Sequence, residues 1–140
     1  EPPQQYKGIS IGTSPDDPER QEYLLVLEYL ESVGFKFAPS VLRLIKKVID
    51  VSHNEGKVTA ICGELAGNPE ACLLLLGLGL DEFSMNASSI IKIRKIITSV
   101  DFRQAELISK RAMELEDAVQ IEEYLLQELK NLGLDYLLEL

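Results

Sequence analysis

The chain has 140 residues, 46% hydrophobic and 26% charged, with a formal net charge of −9. This composition supports one domain with a real core, excludes a nucleic-acid binder that needs a basic face, and holds no apolar run of the roughly 18 residues a membrane span takes. It also falls short of a complete (β/α)₈ barrel, which typically takes about 250 residues.

Tyr6 to Ile11 alternates weakly before Gly12-Thr13, which predicts a first strand near 7–11. Ser14-Pro15-Asp16-Asp17-Pro18 reads as a turn and a helix start. Asp17 suits the N-cap, Pro18 the first helical position and Glu19 the positive end of the helix dipole. Leu24, Leu27, Leu30 and Val33 then form one apolar stripe, and Gly34 ends the helix. Ala38-Pro39-Ser40 opens a second helix, in which Val41, Leu44, Ile45, Val48, Ile49 and Ser52 follow the helical period as far as Gly56. A second strand is predicted over 57–62. Asn68-Pro69-Glu70 starts a short helix, Ala71 to Leu76, apolar almost all round and so expected to be buried.

A third strand is predicted over 80–85. Ser88/Ser89 leads into a helix from Ile90 to Thr98, and Asp101-Phe102 caps another that reaches about Met113. The last helix runs from Asp117 to Leu132 with Ile121, Leu125, Leu129 and Leu132 on one stripe, and Gly133 follows. The tail from Leu134 to Leu140 is apolar and acidic, a final turn or a docking segment. Strands alternating with helices of this length read as βα units on a parallel sheet. The expected fold is therefore α/β, with about three parallel strands, flanking helices and a helical C-terminus. Three strands leave exposed edges, which must be paired or shielded.

Cys62 ends the β-branched run from Val58 to Ile61 and is followed by Gly63 and Glu64. If that run is a parallel strand, the thiol lies at its C-terminal end, where barrels and open sheets place their chemistry. Position alone favours a blander reading, because cysteine most often packs as a small buried hydrophobe. Cys62 and Cys72 make a disulfide arithmetically possible, but nothing marks a secreted scaffold. The opening Glu-Pro-Pro-Gln-Gln lacks the regions of a signal peptide, so a cytoplasmic location is expected.

The run Ala60-Ile-Cys-Gly-Glu-Leu-Ala-Gly-Asn-Pro-Glu70, followed by Leu73-Leu-Leu-Leu-Gly-Leu-Gly-Leu-Asp-Glu-Phe-Ser-Met-Asn-Ala87, resembles the C-terminal part of the phosphoenolpyruvate-binding barrel of enzyme I of the sugar phosphotransferase system. The likeness begins at Ser10-Ile-Gly-Thr13, resumes at Pro39-Ser-Val-Leu42 and is strong from Ile45 to Val100. It implies that residues 1–140 are one domain made of the last βα units of a TIM barrel.

In that family phosphoenolpyruvate gives its phosphoryl group to a histidine on a separate domain, and the enolate left behind is protonated at carbon. The resemblance makes Cys62 the proton donor. A free thiol titrating near 8.5 is protonated at neutral pH, as a carbon acid–base step requires. Gly63, Glu64, Ser84, Thr13 and Ser14 become the expected substrate contacts. Gly63 is otherwise a simple turn residue, and Glu64 either orients a cationic phosphate ligand or points at solvent.

Family members bind Mg²⁺ through an aspartate that follows Gly-Thr-Asn. Here Gly12-Thr13 is followed by Ser14-Pro15, so proline stands at the metal position. Asp16, and next to it Asp17, are the substitute ligands, although helix initiation explains both. The family arginine farther on is replaced by Leu25, and Arg20 reads by default as a solvated helix residue. His53 is the single histidine; it does not match the family's phosphorylated residue, and a position near a helix C-terminus accounts for it. Asp81-Glu82 is a carboxylate pair with no primary chemical role, and Ser84 and Met85 read as pocket lining.

Two functions follow. The chain is a C-terminal fragment of a phosphoenolpyruvate-protein phosphotransferase that carries the acid Cys62 but is inactive alone, its partner a histidine phosphocarrier protein reached through a domain outside this sequence. Alternatively it is a non-catalytic α/β assembly or dimerisation module derived from that barrel. The family's homodimers, formed through its later elements, make a homo-oligomer the expected state in both.

Overall fold

The computed structural model describes the backbone of residues 9–11 and the whole of residues 37–140. The helix expected between Pro18 and Val33 lies outside the described residues. In chain order the elements are β1 (Ile9–Ile11), α1 (Pro39–Asn54), β2 (Thr59–Cys62), α2 (Pro69–Leu78), β3 (Glu82–Ser84), α3 (Ala87–Ser99), α4 (Phe102–Ala112), α5 (Ala118–Asn131) and a 3₁₀ turn, Asp135–Leu138.

The three strands form one sheet in the order β1-β2-β3. β2 and β3 are parallel, with Ala60 opposite Glu82, Ile61 opposite Phe83 and Cys62 opposite Ser84. β1 is antiparallel to β2, with Ile9 opposite Ile61 and Ile11 opposite Thr59. The expectation of three parallel strands is therefore corrected to a two-stranded parallel pair with an antiparallel neighbour. Alternation has period two and reads the same in both directions, so it marks a strand without giving its direction.

Along β2, Thr59 and Ile61 are buried while Ala60 and Cys62 are half-buried. Successive strand side chains point to opposite faces, so Cys62 shares its face with Ala60 and lies opposite the face of Ile61, which is packed in the core. The strand begins at Thr59 rather than Lys57; Val58 is 59% exposed.

The helices follow their periodicities. Pro39 sits in the first turn of α1, where its missing N–H costs nothing, and Val41, Leu42, Ile45, Val48, Ile49 and Ser52 are buried. Leu42 takes the core position expected of Leu44, which is half-buried. The outer face of α1 carries Lys46 and Asp50, paired at 2.8 Å one turn apart. In α2, Ala71 to Leu75 and Leu78 are buried, as an all-round apolar helix requires. Asp101 and Asp117 cap α4 and α5 by accepting from the amides of Gln104 and Gln120 at 2.8 and 2.9 Å.

α2 packs chiefly on α4 and also meets α3 and α5. Residues small enough for a close crossing line that contact: Gly77 on α2, and Ala105 and Ser109 on α4. Ser109 Oγ donates to the Leu74 carbonyl at 2.6 Å in a buried site. The tail ends in a turn whose Leu137, with Leu134 just before it, enters the core.

Candidate functional site

β2 and β3 run side by side and end together, Cys62 opposite Ser84. One residue on, Gly63 has φ 101°, the left-handed region that a side chain disfavours. The Gly63 N–H donates to the Ser84 carbonyl at 3.0 Å and closes the parallel ladder at this end. The chain then turns, with Gly67 N donating to the Glu64 carbonyl and Asn68 N to the Leu65 carbonyl, both at 3.2 Å. Leu65 and Ala66 are buried and pin this turn to the core, and the Asn68 side chain caps α2 by accepting from Ala71 N at 2.8 Å.

After β3, Asn86 caps α3. Its Oδ1 accepts from Ser89 N at 3.0 Å and from the Ser88 hydroxyl at 2.8 Å. Between the two loops opens a cleft of about 400 Å³, lined by Gly63, Glu64, Gly67, Ser84, Met85, Asn86 and Ser89. That volume lies within the range of small-molecule sites, about 300–1,000 Å³. Among the described residues the lining offers one carboxylate, hydroxyl and amide groups and backbone, with no basic side chain. These described residues make a hydrogen-bonding surface that does not by itself neutralise a polyanion.

Residues 26–102, more than half of the chain, match the family described as PEP-utilising enzyme, PEP-binding domain. The chain belongs to that family. The PEP-binding-domain segment is similar to phosphoenolpyruvate-protein phosphotransferases. It is 45% identical to that of Haemophilus influenzae over 127 residues, covering 85% of this chain and 21% of that protein. It is 51% identical to that of Listeria monocytogenes over 119 residues, covering 82% and 20%. With that of Buchnera aphidicola from Acyrthosiphon pisum it is 54% identical over 77 residues, covering 55% and 14%. The chain thus spans about a fifth or less of the length of these curated relatives.

Within this PEP-binding-domain segment, three of the residues singled out in the sequence, Gly63, Glu64 and Ser84, line one cleft, as does Met85. Cys62 stands at the strand end from which the cleft opens and is half-buried. Thr13, Ser14, Asp16 and Asp17 lie outside the described residues. Sequence reasoning missed Gly67, Asn86 and Ser89 as cleft residues. The signal for Asn86 was legible: Asn-Ala-Ser-Ser ahead of an apolar helix is a capping sequence.

The two thiols differ. Cys72 is fully buried in α2, and burial pushes its thiol up to about 12. Among the described residues no group of three or more His, Cys, Asp or Glu side chains stands together to hold a metal. Magnesium takes hard oxygen ligands, usually one or two carboxylates with substrate phosphate. The cleft supplies one carboxylate, Glu64, so the described residues alone do not make a magnesium site.

A second polar cluster occupies the opposite end of the strands. Asp81 Oδ2 accepts from Thr59 N at 2.8 Å and from the Thr59 hydroxyl at 3.1 Å, and lies 2.7 Å from His53 Nε2. Burial would raise the Asp81 carboxyl, but these hydrogen bonds and the charge of His53 outweigh it and hold the group below the ordinary aspartate range. His53, assigned in the sequence to a helix-end position alone, has a specific carboxylate partner remote from the cleft. Asp81, which the sequence left without a role, fastens α1 to the starts of β2 and β3.

Proposed function

We propose that this chain is the part of a phosphoenolpyruvate-protein phosphotransferase that handles the enol end of the substrate, with Cys62 as the proton donor. One observation carries the reading. Cys62 ends β2 in register with Ser84, and the residues that follow both strands wall the cleft. Cys62 also lies on the sheet face opposite Ile61, the face that would turn inward if further strands closed a barrel. Family membership supports the substrate class, and the similarity to phosphoenolpyruvate-protein phosphotransferases supports the reaction.

In this mechanism a histidine nitrogen on another domain attacks phosphorus and the bond from phosphorus to the enol oxygen breaks. The enolate collapses toward the ketone as its terminal carbon takes the proton from the Cys62 thiol. Pyruvate leaves, and the thiolate recovers its proton from solvent. Gly63 brings backbone close to the substrate, Ser84 offers a hydroxyl, and Glu64 orients a cationic group supplied from outside this segment. Thr13 and Ser14 are candidate substrate contacts by the family resemblance alone, since β1 ends beside Thr59, at the start of β2. Asp16 is this chain's candidate to hold a magnesium ion, which would supply charge neutralisation at the transferring phosphoryl group.

The isolated chain should not turn over phosphoenolpyruvate. The one histidine of these 140 residues, His53, is remote from the cleft, Pro15 stands where the resemblance expects the metal-binding aspartate, and the described cleft residues include no basic side chain. Loss of one such stabilising group costs about 2.7–4 kcal/mol of barrier. Incubation with phosphoenolpyruvate, Mg²⁺ and a histidine phosphocarrier protein should yield no pyruvate, while titration with phosphoenolpyruvate should shift the amides of Gly63 and Ser84. Pyruvate formation that vanishes in Cys62→Ala would overturn the inactivity. Absence of shifts at saturating substrate would remove the assignment of this cleft.

A second reading rests on exposed apolar side chains. Ile91, Leu107 and Val119 are 76%, 64% and 65% exposed. They favour a surface that meets another copy or the remainder of a barrel, and this reading is compatible with the first.

A further inference from the structure

The two loops that wall the cleft are tied at one place and abut at another. At the sheet, the Gly63 N–H donates to the Ser84 carbonyl at 3.0 Å. Farther along, Gly67 stands against the first turn of α3. A Cβ built at Gly67 would lie 3.0 Å from both Cβ and Oγ of Ser89 and 3.5 Å from Cβ of Met85. Neither side retreats easily. Gly67 follows the buried pair Leu65 and Ala66 and precedes the cap of α2. Ser89 is fastened to Asn86 by the cap of α3. Met85 and Ser84 are in the same loop, so a displacement of Ser89 is carried toward the strand end opposite Cys62.

We propose that Gly67 and Ser89 form a spacer that sets the width of the cleft and thereby the distance between the Cys62 end of β2 and the Ser84 end of β3. They are positioning residues. A methyl group at 67 would widen the cleft by a few tenths of an ångström and load the Gly63–Ser84 hydrogen bond. Proton transfer works within hydrogen-bond reach, about 2.6–3.2 Å between heavy atoms, so a site of this kind responds to small displacements. The identity of the ligand rests on the function proposed above; the spacer itself does not.

Four proteins test it: the unaltered chain, Gly67→Ala, Ser89→Gly and the double variant. Gly67→Ala should speed hydrogen exchange at the Gly63 amide and alkylation of Cys62 by iodoacetamide about five- to tenfold, while amides in α5 keep their protection. The double variant should return both rates to within about twofold of the unaltered chain, because the two Ser89 atoms that crowd a new Cβ are then gone and Met85 Cβ at 3.5 Å is ordinary contact. Ser89→Thr, which crowds the contact from the other side, should reproduce the change if Gly67→Ala does not fold. Unchanged Gly63 exchange in the single variants, or a double variant as perturbed as Gly67→Ala, overturns the spacer. Phosphoenolpyruvate is titrated in parallel. Weaker binding in Gly67→Ala that recovers in the double variant supports both proposals. Absence of binding to the unaltered chain, with the exchange pattern intact, overturns the ligand and supports the spacer.

Discussion

Asp81 joins three elements through one carboxylate oxygen, and its surroundings make its contribution depend on pH. Its pKa is lowered in the folded state from an ordinary value of 3.8. The folded protein then holds fewer protons than the unfolded chain as acid is added. The stabilisation is present above about 3.8 and is lost as pH falls toward the folded value. Asp81→Asn should cost about 1–2 kcal/mol at pH 7, the lower part of the range for hydrogen bonds to charged groups, because the carboxylate is 32% exposed. It should also flatten the acid limb between about pH 5 and 3. Urea titrations of both proteins across that interval check this; parallel acid limbs would show that Asp81 is not the titrating group. Cys72 has the opposite sign. Its thiol is raised to about 12 by burial, so the stability it supports is complete below the unfolded value of 9.0 and lost as pH rises beyond it. At pH 8 native protein should take up one equivalent of iodoacetamide, on Cys62, and a second only on unfolding. Two equivalents taken up at one rate by native protein would contradict the burial of Cys72.

Between elements, the crossing of α2 and α4 is set by the absence of a side chain. A Cβ at Gly77 would collide with the Ala105 carbonyl oxygen and with Ser109 Oγ. The first is backbone and cannot rotate away. Helix propensity favours alanine over glycine by about 1 kcal/mol, whereas overpacking costs about 1–3 kcal/mol and here also disturbs the Ser109–Leu74 hydrogen bond. The clash wins, and Gly77→Ala should lower stability by about 2 kcal/mol with the urea midpoint shifted down. Ser109→Ala should lose about 1 kcal/mol, since it removes a buried 2.6 Å bond and leaves the helix intact. A Gly77→Ala protein as stable as the parent would mean that the two helices separate at no cost. These elements were largely legible beforehand. The predicted stripes of α1 and α5 are buried except at Leu44 and Leu132, which are half-buried, Leu42 is buried in place of Leu44, and Asp101 and Asp117 cap where capping chemistry places them.

For the whole molecule, the described sheet ends at β3, whose far edge has no strand beside it. Such an edge and the exposed Ile91, Leu107 and Val119 are surfaces that proteins normally cover. Sedimentation velocity at micromolar concentration should therefore show a dimer or a larger species. With a net charge of −9, copies repel one another, so raising salt from about 0.01 M to 0.15 M, which shortens the screening length from about 30 to 8 Å, should strengthen association. A monomer at every soluble concentration and in both salts would count against self-association.

The amino-acid sequence by itself determined what depends on neighbours within a turn or two. It placed the amphipathic stripe of α1, the all-apolar α2, the caps of α4 and α5, and Cys62-Gly63 at a strand end inside a run that belongs to a recognisable family. Each is a short-range preference, written in adjacent side chains. Only the tertiary structure decided the direction of β1, because alternation is blind to polarity. It also paired His53 with Asp81, 28 residues away, seated Ser109 on the Leu74 carbonyl 35 residues back, and brought Gly67 against Ser89. Those contacts join groups that are unremarkable in their own segments. They exist because the core brings two chain reversals to the same end of a parallel pair, and no local pattern encodes where such reversals meet.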